Sequence, residues 1–286
     1  MHAMTSRIVS ALAAIAAALL LARPAAAADP VPIAELYRAQ TIVTGTGEVN
    51  RLIGFAACLE DALIKASGRL RLAGDPRLAP FKADAARMVR DFSYRDEKGG
   101  KPKNDEQGTR DRSFFLTVDF DAAAIDGVLE RLGVKPWLAR RPVLAAFVEL
   151  QPGARRVVVA GDAKDTELQR AALLAAAAKR GMPVVLPDAA DLSGLGANEQ
   201  ALAAIAPAKL SETATARGGE AVLIAHLVWD DEALRWNSHW RLDGPIGAQA
   251  GSQHVKSQQW QLSAVTFDET FRLGIGTAAQ ILSQAR

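Results

Sequence analysis

The sequence predicts an exported α/β (α+β) chain of two small domains, an N-terminal strand-helix-helix-hairpin-helix unit and a C-terminal mixed-sheet α/β domain. Three observations predict it. Residues 1–28 have the layout of a cleavable leader; a β-branched stretch runs straight into a long amphipathic helix that stops at Gly68; and beyond Pro136 a continuous, mainly apolar strand is followed by turn, helix, strand and a three-strand meander.

The leader comes first. Arg7 gives a short basic start, Ile8 to Leu21 form an Ala- and Leu-rich run, and Ala25 to Ala28 offer small residues for a signal peptidase before Asp29. The run is cut short by Arg23-Pro24, whereas a membrane span needs about twenty apolar residues, so cleavage and no stable membrane insertion are expected. The domains are then Asp29 to Pro136 and Trp137 to Arg286. Leu36 to Thr44 alternates as a strand, and Glu48 to Ser67 carries a stripe of Leu52, Phe55, Ala56, Leu59, Leu63 and Ala66. A second helix is expected after Pro76, with Leu78, Phe81, Ala85, Met88 and Val89 on one side. Phe92 to Arg95 and Ser113 to Phe120 read as a hairpin joined by Asp96 to Asp111, which has no apolar residue. Asp121 can cap the helix bearing Ile125, Val128, Leu129 and Leu132, and Gly133 supplies its C-terminal turn.

Pro136 to Pro142 is the hinge, because two prolines interrupt helical propensity there. Val143 to Leu150 suits a strand covered on both faces, and Gln151 to Ala154 can turn it into Arg156 to Ala160. A helix over Glu167 to Lys179 and a short strand over Pro183 to Leu186 complete a parallel crossover. Ala221 to Trp229, Leu234 to Leu242 and Ser257 to Ala264 make the meander, with Gly244 to Gly251 as a loop. The last helix starts at Phe267 behind a Thr266 and Glu269 capping box.

Composition narrows the function. The leader holds two of the 34 Lys and Arg residues, Arg7 and Arg23, and no acid, so the rest of the chain balances its 32 acidic residues and is formally neutral. Balanced charge without a basic block speaks against nucleic acid as partner. Cys58 is the single cysteine, so no intrachain disulfide can form; it lies too far past the Ala cluster for lipid attachment and reads as a small apolar residue without a neighbour to activate its thiol.

Several local patterns together resemble a bacterial secreted family catalogued as domain of unknown function 2066. They are Leu36-Tyr37, Asn50-Arg51, Ala57, Ala62-Leu63, Lys65, Ser67-Gly68, Phe92, Tyr94-Arg95, Val118-Asp119-Phe120, Trp137 and Arg141-Pro142, spread between Ala34 and Asp191. The resemblance implies an envelope protein and no reaction. The half after Arg141 is similar in element order to small α/β domains of periplasmic lipoproteins that serve curli secretion, peptidoglycan synthase activation and the Tol system, an analogy of fold alone.

Gly45 to Asn50 lacks the third glycine of a dinucleotide turn, and Gly153 to Asp165 has no glycine-lysine-hydroxyl ending, so no cofactor is expected. Asp119-Phe120-Asp121 supplies too few oxygens for a hard cation. His226 and His239 are the polar pair of most interest. A turn over Asp230 to Ala233 that pairs Trp229 with Leu234 would place Asn237 opposite His226 and make His239 its diagonal neighbour, on a face with Val222, Ile224, Val228, Arg235 and Arg241. A metal or acid-base role is conceivable there, but no Cys, Asp or Glu on that face completes a ligand set, so no metal is expected. The opposite face gathers Leu223, Ala225, Leu227, Trp229, Trp236 and Trp240, with Trp260 beside them, as core under the last helix. Trp137, Arg140 and Arg141 stand at the junction, either to recognise a partner or to fix the angle between domains. These readings converge on a soluble periplasmic protein without catalytic activity that binds another envelope protein. The competing reading is an enzyme or small-ligand binder with its site at the domain interface or on the His226 and His239 face.

Overall fold

The structure, a computed structural model, describes residues 30–97, 99, 112–244 and 257–285. The leader, nearly all of the Asp96 to Asp111 loop and most of Gly244 to Gly251 lie outside the described residues. The chain is α/β, with one antiparallel and one mixed sheet.

A short helical turn α1 (Ile33–Leu36) precedes β1 (Arg38–Thr44), so the first strand begins two residues later than its pattern suggests. Helix α2 (Glu48–Ser67) crosses a three-stranded sheet ordered β1-β3-β2, in which β3 (Ser113–Phe120) pairs with β1 and with β2 (Val89–Asp96). Gly54 is the point of closest approach. A Cβ there would stand 2.5 Å from Leu116 Cδ2 and 2.8 Å from Val43 Cγ1, so the helix can lie on the sheet only with glycine at this position. Gly68, at φ 70°, ends α2 in the left-handed conformation. The segment after Pro76 departs from the expected single helix. It is three short pieces, Pro76–Leu78, α3 (Ala79–Ala83) and Ala85–Met88, because Pro80 can neither donate an intrahelical hydrogen bond nor sit deep in a helix. Asp121 caps α4 (Ala122–Arg131) as expected, its carboxylate accepting from Ala124 N at 2.8 Å. The core of this part is Leu59, Leu63, Leu116, Val118, Ile125 and Leu129.

The second sheet is ordered β5 (Val157–Val158), β4 (Leu144–Gln151), β7 (Ala221–Asp230), β8 (Arg235–Asp243), β9 (Gln258–Ala264), with β6 (Val184–Val185) sharing the β5 side of β4. Strand β4 (Leu144–Gln151) is buried on both faces up to Leu150 and runs parallel to β7 (Ala221–Asp230) and to the two-residue β6 (Val184–Val185). The expected Arg156 to Ala160 strand is only β5 (Val157–Val158). Helix α5 (Glu167–Arg180), stopped by Gly181, and the last helix α8 (Phe267–Gln284) cover one face. Thr266 caps α8 by accepting from Glu269 N at 3.2 Å. Even-numbered residues of β4, odd-numbered ones of β7 and the aromatic row Trp236, Trp240, Trp260, Phe267 and Phe271 fill this layer. Trp240 is buried and stacks on Trp260 at 6.1 Å, so most of the aromatic face is core as its spacing predicts; Trp229, expected with them, is half-buried outside the core, its Nε1 donating to Asp231 at 2.9 Å.

Among the described residues the other face is covered over β4 and β7 and not over β8 and β9. There α6 (Ala189–Gly194), a turn at Leu202–Ala204 and α7 (Pro207–Ala216) set Leu192, Leu202 and Leu210 against Phe147 and Ile224. Over β8 (Arg235–Asp243) and β9 (Gln258–Ala264) this face presents Asn237, His239, Arg241, Gln259, Gln261 and Ser263, none of which belongs to a core.

Candidate functional site

The β7–β8 turn corrects the expected register by two residues. Asp230 pairs with Arg235 and Trp229 with Trp236, because the Asp230 carboxylate accepts from Glu232 N (3.1 Å) and Ala233 N (2.9 Å) and Leu234 closes the loop at φ 49°. A shift of two keeps every side chain on its face. It also places His226 directly opposite His239 instead of diagonal to it.

A second correction concerns acids on that face. Glu149 of β4 is in register with His226 of β7, and one sheet row reads Glu149, His226, His239, Gln261 across four strands. Glu149 is buried. Its Oε2 accepts from Leu202 N at 3.0 Å and Arg156 Nη1 at 3.2 Å, while Oε1 stands 3.4 Å from His226 Nε2. Arg156 is itself fastened to the carbonyls of Ala197, Asn198 and Gln200. A fixed, dry carboxylate thus faces a half-exposed imidazole, and an exposed imidazole is next in the row. Among the described residues no three His, Cys, Asp or Glu side chains gather into a metal-holding group. The signal in the sequence was Glu149 as the one charge in the apolar run from Val143 to Leu150.

Two of the three junction residues face inward. Trp137 and Arg141 are buried, and Trp137 N donates to Ala66 O at 2.7 Å. The Arg141 guanidinium lies 4.4 Å over the Trp137 ring and donates to backbone carbonyls of both halves of the chain. Arg140 is exposed and pairs with Glu220 at 2.8 Å. The structure does not bring these three together with the two histidines.

Between β1 and α5 lies a cleft of about 420 Å³, lined by Glu35, Arg38, Gln40, Asp61, Lys65 and Lys179 among others. Its charges are matched internally. Asp61 takes Lys179 at 2.8 Å and Arg180 at 3.3 Å, and Arg38 is paired with Asp119 at 2.7 Å. Lys65 is the exception in kind, for its Nζ is satisfied by two backbone carbonyls, Arg38 O at 2.6 Å and Glu35 O at 3.2 Å. Burial pulls its pKa from 10.5 down to about 8. Between those two values the unfolded chain holds a proton that the folded chain lacks, so this residue makes stability rise with pH. Cys58 and Tyr37, both pushed up to about 12 by burial, act in the opposite direction at alkaline pH. The stability difference between wild type and Lys65→Met, followed by urea unfolding from pH 7.5 to 10.5, removes the Tyr37 contribution and most of that of Cys58, on which Lys65 acts only as the smallest cause. It is expected to grow with pH in favour of wild type by a total on the order of 3 kcal/mol; a flat difference would show that the ammonium is solvated in the folded state.

Helix α2 differs most from its expected packing. Leu52, assigned to the buried stripe, is 46% exposed, and Val49 and Ile53 are exposed by 72% and 63%. At i, i+3 and i+4 these three form one outward patch. Phe92, also exposed, borders it through its 5.3 Å edge contact with Phe55 and the Arg51 guanidinium over its ring.

Residues 31–138 match a family described as a domain of unknown function, DUF8605. This overturns the resemblance to domain of unknown function 2066. Of the residues that suggested it, Leu36, Tyr37, Ala62, Leu63, Val118, Phe120, Trp137 and Arg141 are buried. No curated protein matches the chain. Among solved structures it is similar to the LpoB C-terminal domain from Salmonella enterica, at 15% identity and a TM-score of 0.24 over 42% of this chain and 82% of that one. It is also similar to lipoprotein GNA1162 from Neisseria meningitidis, at 15% identity and 0.26 over 44% and 81%. A formyltetrahydrofolate deformylase from Pseudomonas putida KT2440 aligns at 12% identity and 0.17 over 86% and 91%. At these scores none of the three bears on how this chain folds or works.

Proposed function

We propose that this is a periplasmic, non-catalytic binding protein that docks another envelope protein through the outward face of α2. The exposed Val49, Leu52 and Ile53 patch carries the reading, since contiguous apolar side chains left in water at helical spacing mark a surface that a partner covers. Each such side chain gains about 1.5–3 kcal/mol when fully buried, so three of them can anchor an interface. The leader pattern in residues 1–28 supplies the address. Among the described residues no helix is long and apolar enough to cross a membrane.

The test is a photocrosslinking amino acid at Ile53 in intact cells, with the same label at exposed Arg87 as control. A discrete envelope-protein adduct is expected from Ile53 and not from Arg87, and Leu52→Asp combined with Val49→Asp should abolish it without shifting the melting temperature. Equal labelling from both positions would refute the docking face. The competing reading, an enzyme or small-ligand binder at the His226 and His239 face, has the Glu149 contact in its favour. It requires that His226→Ala with His239→Ala abolish function; the docking reading requires that the Ile53 adduct survive that pair.

A further inference from the structure

We propose that His226 and His239 form a binding site for a divalent transition-metal ion on the open half of the mixed sheet, with Glu149 as the outer carboxylate that orients His226. This departs from the sequence expectation of no metal, which rested on a register without the acid.

Three features carry the inference. The first is register: His226 and His239 are directly opposed on antiparallel strands, which sets their Cβ atoms roughly 4.5–5.5 Å apart on one face. Two imidazoles at that spacing can reach one ion about 2.0–2.1 Å from each donor nitrogen. Orientation is the second. His226 Nε2 is buried and turned to Glu149 Oε1 at 3.4 Å, without a hydrogen bond of standard geometry. A proton on Nε2 would serve that carboxylate and leave the Nδ1 lone pair for an ion, the arrangement in which an outer carboxylate fixes the tautomer and raises the basicity of a ligating imidazole. Glu149 cannot swing away, because Leu202 N and Arg156 Nη1 hold its other oxygen.

The third feature is access. Among the described residues the α6–α7 cover ends over β7, so His239 and its row neighbour Gln261 are exposed beside His226. Glu149 is an orienting group here and not a third ligand, so water or Gln261 completes the coordination. Two cations lie near: Arg156, whose charge is taken up by the Glu149 carboxylate at 3.2 Å, and Arg241, two residues along β8 on the same face, whose Nε is engaged by Asp243 at 3.0 Å while its Nη2 is buried without a hydrogen-bond partner. Imidazole donors select zinc, copper or nickel over calcium and magnesium.

Isothermal titration of tag-free protein with zinc chloride, and with magnesium chloride as control, tests the site. One saturable zinc equivalent and no magnesium binding are expected. His239→Ala, a change at an exposed side chain, should weaken zinc at least about tenfold, and Glu149→Gln should weaken it by about tenfold through His226 alone. Should Glu149→Gln fail to fold, the imidazole resonances of wild type decide, since those of His226 and His239 must shift together on adding zinc. Absence of saturable zinc binding, or unchanged affinity in the His226→Ala and His239→Ala double variant, would overturn the proposal.

Discussion

Arg141→Ala is expected to cost about 3–5 kcal/mol of folding stability, more than any surface change in the chain. Arg141 is 4% exposed, and its guanidinium sits where two helices end. Its Nη1 donates to Arg180 O at 2.7 Å and Gly181 O at 3.1 Å, at the C-terminus of α5; its Nη2 donates to Lys65 O at 2.6 Å, in the last turn of α2. The final carbonyls of a helix have no partner within it and carry the negative end of its dipole, so one cation here serves both termini. Alanine would leave four carbonyls without that donor, the fourth being Trp137 O at 3.5 Å, in a space too confined to be rehydrated freely, and would strip the Trp137 ring of its stacked partner.

Arg141→Lys separates this account from a simple need for positive charge. A lysine has one ammonium on a flexible stem and cannot span both helix ends as the planar fork does, so it should recover less than half of the loss. Urea unfolding of the two variants at neutral pH measures both. A loss below about 1 kcal/mol for alanine would mean that the helix ends are satisfied by water.

What the chain reveals to inspection follows how local each determinant is. The capping of α4 by Asp121, the stops at Gly68 and Gly181, and the burial of Val143 to Leu150 depend on neighbours in sequence, and each is found where its pattern puts it. The β7–β8 register depends on one carboxylate, Asp230, taking two amides of its own turn, and a reading by alternation alone preserves the faces while misplacing the pairs. Glu149 needs a parallel pairing between strands separated by about seventy residues before it meets His226. Leu52 fails for a different reason. The apolar residues of α2 span more of its circumference than a three-stranded sheet can cover, so the spacing of the stripe is right and its width is not. The residue that the sheet leaves uncovered is also the one that the docking reading uses.

Gly274→Ala is the other change expected to have a large effect, a net loss of about 2–3 kcal/mol. A Cβ at Gly274 of α8 would lie 2.2, 2.4 and 2.5 Å from three atoms of the Trp240 indole. The ring cannot yield, because it is buried, stacked on Trp260 at 6.1 Å and held by its Nε1 donating to Ser238 Oγ at 2.9 Å. Alanine improves helix propensity by about 1 kcal/mol, so the clash must exceed that gain for the variant to be destabilised at all. Gly276→Ala, on another side of the same helix, is the control. There the added atom meets the terminal carbons of Leu70 at 2.9 and 3.1 Å, which can rotate aside, and stability should stay within about 1 kcal/mol of wild type. Thermal unfolding followed by tryptophan near-ultraviolet circular dichroism reads both effects, since displacement of the Trp240 and Trp260 stack alters that signal directly. Equal stability of the two variants would show that α8 is not seated on the indole. Trp240 and His239 are adjacent on β8 and point to opposite faces, so the contact that Gly274 permits also holds the strand from which His239 projects.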